Sequence, residues 1–523
     1  MQIQMLSING KKCLKNVEIP FCISDSSSTT ILIGENGTGK TTVIEAILEI
    51  LMSFDSPAVE KQIDYSYEIK YEYAQEQIVI TKVNDYYTVF VDDSYLCGSY
   101  AQVRSMMQEY RLFPKRIISF YSGTNNKLKP LIQKMDSAYQ RQYRQIMRGY
   151  FYVEENITHN DPPSIPIRKY SFCDEHMVPI YLSAILAGHN SYEKEYLQGE
   201  CNWGDILHID MNINMEKVAQ VFSRDHFSRD RFSEWDPHSL FSVADFIDHR
   251  LADLLREGWK FTHGRKGFVD LSRLPRYELD SVSILEFFEI LHDLFGAQYE
   301  VYVDIGGNAV KSEDLSEGQR QLIKVLGMLG ICKNEDCLIL LDEPDAHMNP
   351  QWKYGIKKLM DGCLLHSQNA QAIIATHDPL VINGVDKNYI RIFDRVEGGT
   401  VVRIPTEDTA GMGIDGLLQS QYYRLQTTYD KPTSDKFRKR QLLYIKLINN
   451  EISPEEKESL ISLTRELGSL PKSFTTIDFL YDDFIKVYRN SPLYTKEYLT
   501  FDELDRRRAE IDEIINALYE AQI

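Results

Sequence analysis

The glycine-rich stretch near the start of this 523-residue chain constrains its fold more than any other feature. An apolar run, "TTILIG", leads directly into "ENGTGKTT", and Gly34 to Thr41 match the pattern G-x-x-x-x-G-K-[ST]. The apolar run "TTVIEAILEILMSF" continues as a helix. A strand, loop and helix of this kind direct backbone N–H groups and the positive end of the helix at one point, which suits an anion. The pattern predicts an α/β protein with a phosphate-binding loop.

The loop also predicts which residues contact a nucleotide. The ammonium group of Lys40 is expected to reach the β and γ phosphates of a nucleotide, and the hydroxyl group of Thr41 is expected to bind Mg²⁺. The backbone of the loop and the first turn of the helix supply the other contacts. The full predicted set is Gly34, Asn36, Gly37, Thr38, Gly39, Lys40, Thr41 and Thr42.

Two later strand-like runs end in residues that suit the same chemistry. "CLILLDEPD" ends in Asp342 and Glu343, and "IIATHDP" ends in His377. The carboxyl ends of parallel strands form the ligand-binding edge of such a sheet, so Asp342 is predicted to hold Mg²⁺ through its water. Glu343 is predicted to act as general base on the attacking water, and His377 to donate a hydrogen bond to the γ-phosphate.

A second glycine-bearing helix start lies far from the first, in "LSEGQRQLIKVLGMLG". Ser316, Gly318 and Gln319 surround the point where the apolar periodicity of this helix begins. A serine hydroxyl at the N-terminus of a helix is again suited to an anion.

The order of these motifs resembles the ABC-type ATPase head, and most of all its SMC, Rad50, RecF and OLD branch. The resemblance covers about residues 1–123 and 311–405 and implies that Leu315 to Gln319 form the signature motif. In that family two heads pair head to tail, and the signature helix of one caps the γ-phosphate of ATP held by the other. Two departures stand out: the glutamine usual in the family is not evident directly after "IISFYSG", where Ser122 and Gly123 stand, and Asn349-Pro350 stands where relatives commonly have His-Pro. Asp345 and His347 are then the candidates for the contact that crosses the dimer.

The remaining sequence suggests four parts. Residues 1–123 are predicted to form the first ATPase lobe, a mixed sheet with an antiparallel subdomain, and residues 311–405 complete the head. Residues 124–310 are predicted to be a mainly helical insertion or lid, in which "ILHIDMNI" and "YEVYVDI" could be strands. Residues 406–523 are predicted to be a helical appendage for oligomer or partner docking, ending in a helix that opens on the capping box Thr500 to Glu503.

The charge distribution is uneven. The formal charge of −19 argues against a protein that coats nucleic acid with its whole surface. The segment from Arg104 to Arg148 nevertheless holds ten Lys or Arg against two acidic residues, and Arg424 to Lys446 is also basic. The stretch from Arg104 to Arg148 could bind DNA or form a solvated helix face. The repeated "FSRD" between Phe222 and Asp236 is predicted to be a surface loop, with nucleic-acid contact as the second interpretation.

Cysteine usage and hydropathy bear on where the chain works. The eight cysteines are scattered and include no Cys-x-x-Cys pair, which predicts free thiols in a reducing compartment. No apolar run is long enough for a membrane span, and the first residues do not suggest a secretory signal. A cytoplasmic location is expected.

The layout of one head, a compact lid and a helical appendage resembles the ATPase subunits of bacterial antiphage systems, and most of all the PtuA family of Septu systems and certain retrons. That resemblance implies a homo-oligomer that controls a separate HNH nuclease, and a basic surface for DNA or a retron RNA–DNA. Three alternatives remain: an AriA-like scaffold ATPase of the PARIS system, a RecF-like or SMC-like repair or recombination ATPase, and a transporter subunit or translation factor.

Overall fold

The computed structural model describes residues 1–468, apart from residues 24–27, 93, 123–127, 155–167, 189–190, 215–248, 264–265, 333–335, 365–369, 426 and 449–450, and also residues 506, 509–511 and 513–514. The predictions for the loop at 222–236 and the capping box at 500–503 lie outside these residues. The chain divides into two compact units, Met1–Ala410 and Gly411–Ile523. In the described part of the chain, no helix is both long and apolar enough to span a membrane.

A seven-stranded sheet forms the centre of the first unit, in the order β18-β17-β3-β16-β15-β8-β9. All neighbours in it are parallel except β17 and β18. Its inner strands are near-continuous apolar runs because helices cover such sheets on both faces. The strands are β3 (Thr29–Gly34), β8 (Arg116–Tyr121), β9 (Tyr170–Phe172), β15 (Cys337–Asp342), β16 (Gln371–Ala375), β17 (Ile390–Val396) and β18 (Gly399–Arg403).

A six-stranded antiparallel sheet lies beside it, in the order β2-β1-β4-β5-β6-β7. Buried and less buried residues alternate along its strands, as the pleat requires when one face packs on a core. This sheet is the predicted antiparallel subdomain. Its strands are β1 (Gln2–Asn9), β2 (Val17–Pro20), β4 (Ser66–Tyr73), β5 (Glu76–Val83), β6 (Tyr86–Val91) and β7 (Ser94–Gly98).

Helix α1 (Lys40–Ser53) is buried along almost its whole length, and its apolar residues share one core cluster with strands of both sheets. This explains why its apolar residues do not keep to one stripe: the helix is covered on several sides. The other helices of the first unit are α2 (Pro57–Glu60), α3 (Tyr100–Glu109), α4 (Leu128–Glu154), α5 (Met177–Ala187), α6 (Tyr192–Gly199), α7 (His249–Gly258), α8 (Ser281–Phe295), α9 (Glu317–Ile331), α10 (Pro350–Leu364) and α11 (Pro379–Ile382).

The segment predicted as a mainly helical insertion contains more strand than expected. Besides α4 to α8, it carries an antiparallel sheet of five strands ordered β11-β12-β10-β13-β14, the last of which ends one residue beyond the predicted boundary. Both expected strands belong to that sheet, and β9 joins the central sheet instead. The strands are β10 (Trp203–Asn214), β11 (Trp259–His263), β12 (Lys266–Asp270), β13 (Gln298–Ile305) and β14 (Asn308–Lys311).

Helix α5 joins this segment closely to the head. A Cβ atom added at Gly327 of α9 would lie 2.1 Å from Cγ of Tyr181 on α5, so only glycine lets the tyrosine ring pack there. This close packing agrees with the finding that residues 1–410 form one compact unit.

The second unit begins at Gly411, five residues after the predicted start at 406. Its described elements are helical: α12 (Gly413–Gln419), α13 (Lys431–Ile448) and α14 (Pro454–Gly468). Helices α13 and α14 pack on each other and are joined by an ion pair between Lys436 and Glu466.

Candidate nucleotide site

The phosphate loop connects β3 to α1 and depends on glycine at two close approaches. Gly34 has a φ of 148°, and a Cβ atom there would lie 2.4 Å from the carbonyl oxygen of Phe393. Gly39 has a φ of 104°, and a Cβ atom there would lie 2.8 Å from Cδ2 of Leu14. Both positive values are strained for any residue with a Cβ atom.

A cavity of about 500 Å³ lies over the loop. The ammonium group of Lys40 donates hydrogen bonds to the carbonyl oxygens of two loop residues, Gly34 at 2.7 Å and Glu35 at 3.1 Å. Burial lowers the pKa of the Lys40 ammonium group, while Asp342 and Glu343 act in the opposite direction. The described residues around the cavity are Lys12, Cys13, Asn36, Gly37, Gly39, Lys40, Thr41, Thr42, Glu45, Tyr121 and Glu343.

Two predicted contact residues hold the shape of the loop rather than line the cavity. Thr38 is buried, and its hydroxyl group donates to the carbonyl oxygen of Glu35 at 2.8 Å. The carbonyl oxygen of Thr38 in turn accepts a hydrogen bond from the hydroxyl group of Thr400 at 2.8 Å. Gly34 forms the approach to Phe393 described above. Thr38 and Gly34 therefore fix the backbone that surrounds the cavity.

Asp342 ends β15 with a carboxylate in the core, only 1% exposed. Its Oδ2 atom is buried without a hydrogen-bond partner in the described part of the chain. Burial raises the pKa of Asp342 from 3.8 to about 6, and a hydrogen bond from Thr41 and the charge of Lys40 limit the rise. A buried carboxylate oxygen with spare capacity beside a threonine hydroxyl fits the oxygen ligands that Mg²⁺ prefers.

Glu343 and His377 meet at the edge of the sheet, where the sequence predicted them. Nδ1 of His377 lies 3.0 Å from Oε1 of Glu343. The backbone of Glu343 is held by a 2.8 Å hydrogen bond to the carbonyl oxygen of Ala375, at the end of the neighbouring strand β16. Both side chains remain partly exposed. Glu343 lines the cavity, whereas His377 is not among the described lining residues.

The signature residues lie at the start of α9 and do not line the cavity described above. Gln319 N–H donates to Oγ of Ser316 at 3.3 Å, and Ser316 N–H donates to Oε1 of Gln319 at 2.9 Å. This reciprocal capping box satisfies two donors of the helix start. Gly318 is needed for a different reason: a Cβ atom there would lie 2.6 Å from the carbonyl oxygen of His347.

The two candidates for the contact across a dimer lie in the loop after Glu343 and differ in their exposure to solvent. Asp345 is 2% exposed, and burial raises its pKa. The side chain of His347 is 57% exposed and lies 3.5 Å from Oε1 of Glu317. Asn349 starts α10, because its Oδ1 atom accepts the N–H of Gln351 at 2.7 Å. Only His347 of the two candidates is at the surface.

Sequence reasoning did not identify four residues that line the cavity: Lys12, Cys13, Glu45 and Tyr121. Lys12 forms an ion pair with Glu45, which lies one turn along α1 from the loop. Tyr121 is the last residue of β8, and burial together with the charges of Asp342 and Glu343 raises its pKa. A polar residue at the end of a third parallel strand is the signal that could have identified Tyr121.

The basic stretch is not one continuous surface. Arg116 is 2% exposed and binds Oε1 of Glu286 through its Nη2 atom at 2.8 Å, so it cannot contact DNA. Arg104 donates to the carbonyl oxygens of Phe54 and Asp55. Arg141 is exposed on α4. The expectation of a binding surface is therefore wrong for Arg116 and limited to the exposed members.

The central sheet, its antiparallel neighbour and this set of strand-end residues define the class of ABC-type ATPase heads. Two family models match parts of the chain: "AAA domain" matches residues 5–162, and "AAA domain, putative AbiEii toxin, Type IV TA system" matches residues 209–383. Each covers about a third of the chain.

Within this class the chain is similar to a Septu protein and to a probable ATPase of a retron. It is 26% identical over 197 residues to the Septu protein PtuA of Bacillus mycoides, covering 36% of the chain and 27% of that relative. It is 20% identical over 422 residues to the retron Vc95 probable ATPase of Vibrio cholerae, covering 76% of the chain and 74% of that relative. The match to PtuA thus spans about a quarter of that protein's length.

Among solved structures, the chain is similar to the SMC head domain from Thermotoga maritima. The TM-score is 0.34 at 14% sequence identity, and the match covers 78% of the chain and 100% of that domain.

Proposed function

We propose that two copies of this chain close head to tail around ATP and Mg²⁺, and that hydrolysis reopens them. The observation that carries the proposal is the composition of the cavity. The phosphate loop and Glu343 line it, whereas Ser316, Gly318 and Gln319 lie elsewhere, and Ser316 is exposed at a helix start suited to an anion. A second copy would supply that helix start and complete the site.

The residues around the phosphate loop would carry out the chemical step once the second copy has completed the site. Lys40 would leave the carbonyl oxygens of Gly34 and Glu35 and bind the phosphates, since a charged partner forms the stronger hydrogen bond. Glu343 would take the proton of the attacking water, and His377 would donate to the γ-phosphate. Thr41 and Asp342 would hold Mg²⁺, which neutralises phosphate charge when bound.

The same proposal gives the ATPase a partner. The relatives named for Septu and retron systems support a role in antiviral defence, in which nucleotide state controls a separate effector nuclease of the HNH class. The helical unit from Gly411 would dock that partner or further copies of the chain. The exposed residues of α4, among them Arg141, would contact DNA or a retron RNA–DNA.

The first experiment compares Glu343→Gln with Glu35→Gln. Glu35 is an exposed carboxylate of the same loop region that does not line the cavity, which makes it a matched control. Loss of a general base is expected to slow ATP hydrolysis by about 10²–10⁴-fold. The Glu343 variant should also elute as a stable dimer when ATP and Mg²⁺ are present. Hydrolysis at the wild-type rate would remove Glu343 from its role.

The partner is tested by purifying the tagged chain after expression with its neighbouring genes. Recovery of a small HNH nuclease, with or without RNA–DNA, supports the defence role. Recovery of the ATPase by itself, or with recombination proteins and with salt-sensitive DNA binding, would instead support a RecF-like repair ATPase.

A further inference from the structure

A second cluster of metal-ligating side chains lies on the five-stranded sheet, in a part of the chain that the nucleotide site does not use. It consists of His208 and Asp210 on β10 and Asp270 at the end of β12. One ligand atom from each residue lies within 4.8 Å of the other two. Residues two apart on a strand share a face, and Asp210 pairs directly with Asp270 across the antiparallel ladder.

Three acidic side chains on neighbouring strands give this part of the sheet a negative charge that would attract a cation. Asp210 pairs with Asp270 on one side and with Glu300 of β13 on the other, which places three carboxylates in line across the sheet. Lys311 neutralises Glu300, with 3.1 Å between Nζ and Oε2. Like charges directly opposite each other on neighbouring strands are destabilising. A cation between Asp210 and Asp270 would remove that repulsion.

Asp210 also has unused bonding capacity. Its Oδ2 atom lies 2.7 Å from Nε2 of His208. Its Oδ1 atom is buried and has no hydrogen-bond partner in the described residues. A buried acceptor without a partner costs free energy, which a bound cation would recover.

Ser272 holds two of the ligands in place. Its N–H donates to Oδ1 of Asp270 at 2.9 Å, and its Oγ atom lies 2.7 Å from Nδ1 of His208. The same Oγ atom accepts the N–H of Ile209 at 3.2 Å, which anchors it to β10. If Nδ1 of His208 carries the proton and donates to Ser272, the lone pair of Nε2 is free for a metal. Second-shell hydrogen bonds of this kind are typical of histidine metal ligands.

We propose that His208, Asp210 and Asp270 bind a first-row divalent transition metal ion, such as Zn²⁺, that links β10 to β12. One imidazole and two carboxylates suit this class of ion better than Mg²⁺ or Ca²⁺, which prefer oxygen ligands alone. Ligand atoms around a tetrahedral ion of this class lie about 3.4 Å apart, so side-chain rotations that bring the three atoms closer would close the site. The side chain of His208 is 38% exposed, which leaves room for water to complete the coordination.

The test uses Co²⁺ as a spectroscopic probe on the full chain, stripped of metal with a chelator and free of nucleotide. One equivalent of Co²⁺ is expected to produce a saturable visible absorption band, which Zn²⁺ abolishes and Mg²⁺ does not. The band should disappear in His208→Gln and in Asp210→Asn. It should persist in Asp205→Asn, which removes an exposed carboxylate of the same strand. Circular dichroism verifies that each variant is folded, and Asp270→Asn replaces either variant that is not.

Ser272→Ala separates a metal site from a merely structural cluster. It leaves all three ligands in place and should weaken Co²⁺ binding about 10–100-fold while shifting the band. A wild-type chain without a saturable band would overturn the proposal. So would a band that His208→Gln, Asp210→Asn and Asp270→Asn leave unchanged, because the ion would then be bound elsewhere, for example by cysteine.

Discussion

The helices α1 and α9 both begin at a glycine-bearing turn, yet their N-termini are built in opposite ways. Helix α1 follows Gly39 in a left-handed conformation, and no side chain in the described residues caps it. Helix α9 is closed by the reciprocal hydrogen bonds of Ser316 and Gln319. The first start leaves its N–H groups open to a phosphate, whereas the second already satisfies some of them internally.

The glycines differ in the same sense. Gly34 and Gly39 have positive φ values, so the loop conformation itself requires glycine there. Gly318 has no positive φ and is required because the carbonyl oxygen of His347 comes close. A glycine motif can therefore serve a ligand in one place and backbone packing in another, and the four predictions below distinguish the two uses.

The largest effect is expected at the open helix start. Lys40→Ala removes the charge-assisted hydrogen bonds to the phosphates and should weaken ATP binding on the order of 100-fold. Binding of a fluorescent ATP analogue measures this loss. Lys12→Ala is the control, because Lys12 lines the same cavity but is already paired with Glu45. Equal losses in the two variants would contradict the role given to Lys40.

Gly318→Ala tests the packing use of glycine. Its Cβ atom would press on the carbonyl oxygen of His347, and overpacking of this kind costs about 1–3 kcal/mol in the free energy of unfolding. Gly330→Ala in the same helix meets only ordinary contacts at 3.8 Å and should stabilise by up to about 1 kcal/mol. Urea unfolding of both variants checks the difference in sign. Matching destabilisation by the two would show that the approach of His347 is irrelevant.

The pH dependence of Mg²⁺ binding tests the start of α1 alone, because Asp342 lies near the phosphate loop and not near the start of α9. Its pKa is raised to about 6, so the carboxylate form is lost as pH falls through that value. From pH 7 to pH 5, the Mg²⁺ affinity of the nucleotide-bound chain should fall about tenfold. The stability of the ligand-free chain should change with pH in the opposite direction. The native state binds this proton more readily than the unfolded chain, so the contribution of Asp342 to folding stability rises as pH falls from about 6 to 3.8. An affinity that stays constant over this range would rule out Asp342 as the metal ligand.

Ser316→Ala is expected to have the smallest effect. Loss of the cap should lower the free energy of unfolding by about 1 kcal/mol and leave ATP binding by a single chain unchanged. ATP-dependent dimerisation should weaken as well, if Ser316 contacts the nucleotide of a second copy. Ser99→Ala, which breaks the capping box of α3, is the matched control for stability. A Ser316 variant that dimerises like the Ser99 variant would limit Ser316 to its capping role.

Local patterns were enough to predict the core of the site. The run from Thr29 to Thr42, and the strands ending in Asp342 and Ala375, each carry their own signal of strand, loop and helix. Because parallel strands share one edge, these separate patterns also predicted that Glu343 and His377 would lie at the same edge of the sheet. The meeting of Ser316 with Gln319 follows in the same way from a spacing of three residues at a helix start.

Partners distant in sequence could not be predicted in this way. The hairpin between β1 and β2 brings Lys12 and Cys13 to the cavity, and no periodicity records that approach. Arg116 was counted with a basic surface because composition does not report burial, and its partner Glu286 is 170 positions away. The strands β11 and β12 have only five residues each, too short for a period-two pattern to be distinguished.

The packing of Tyr181 against Gly327 limits how this chain could have been shortened or extended during evolution. The tyrosine belongs to the segment between the two halves of the ATPase motif set, and the glycine belongs to the helix that carries the signature. A shorter chain without residues 124–310 would expose the buried face of α9 and leave a groove where the ring now lies. Helix α5 is thus better regarded as part of the packed core of the head than as part of a separable accessory.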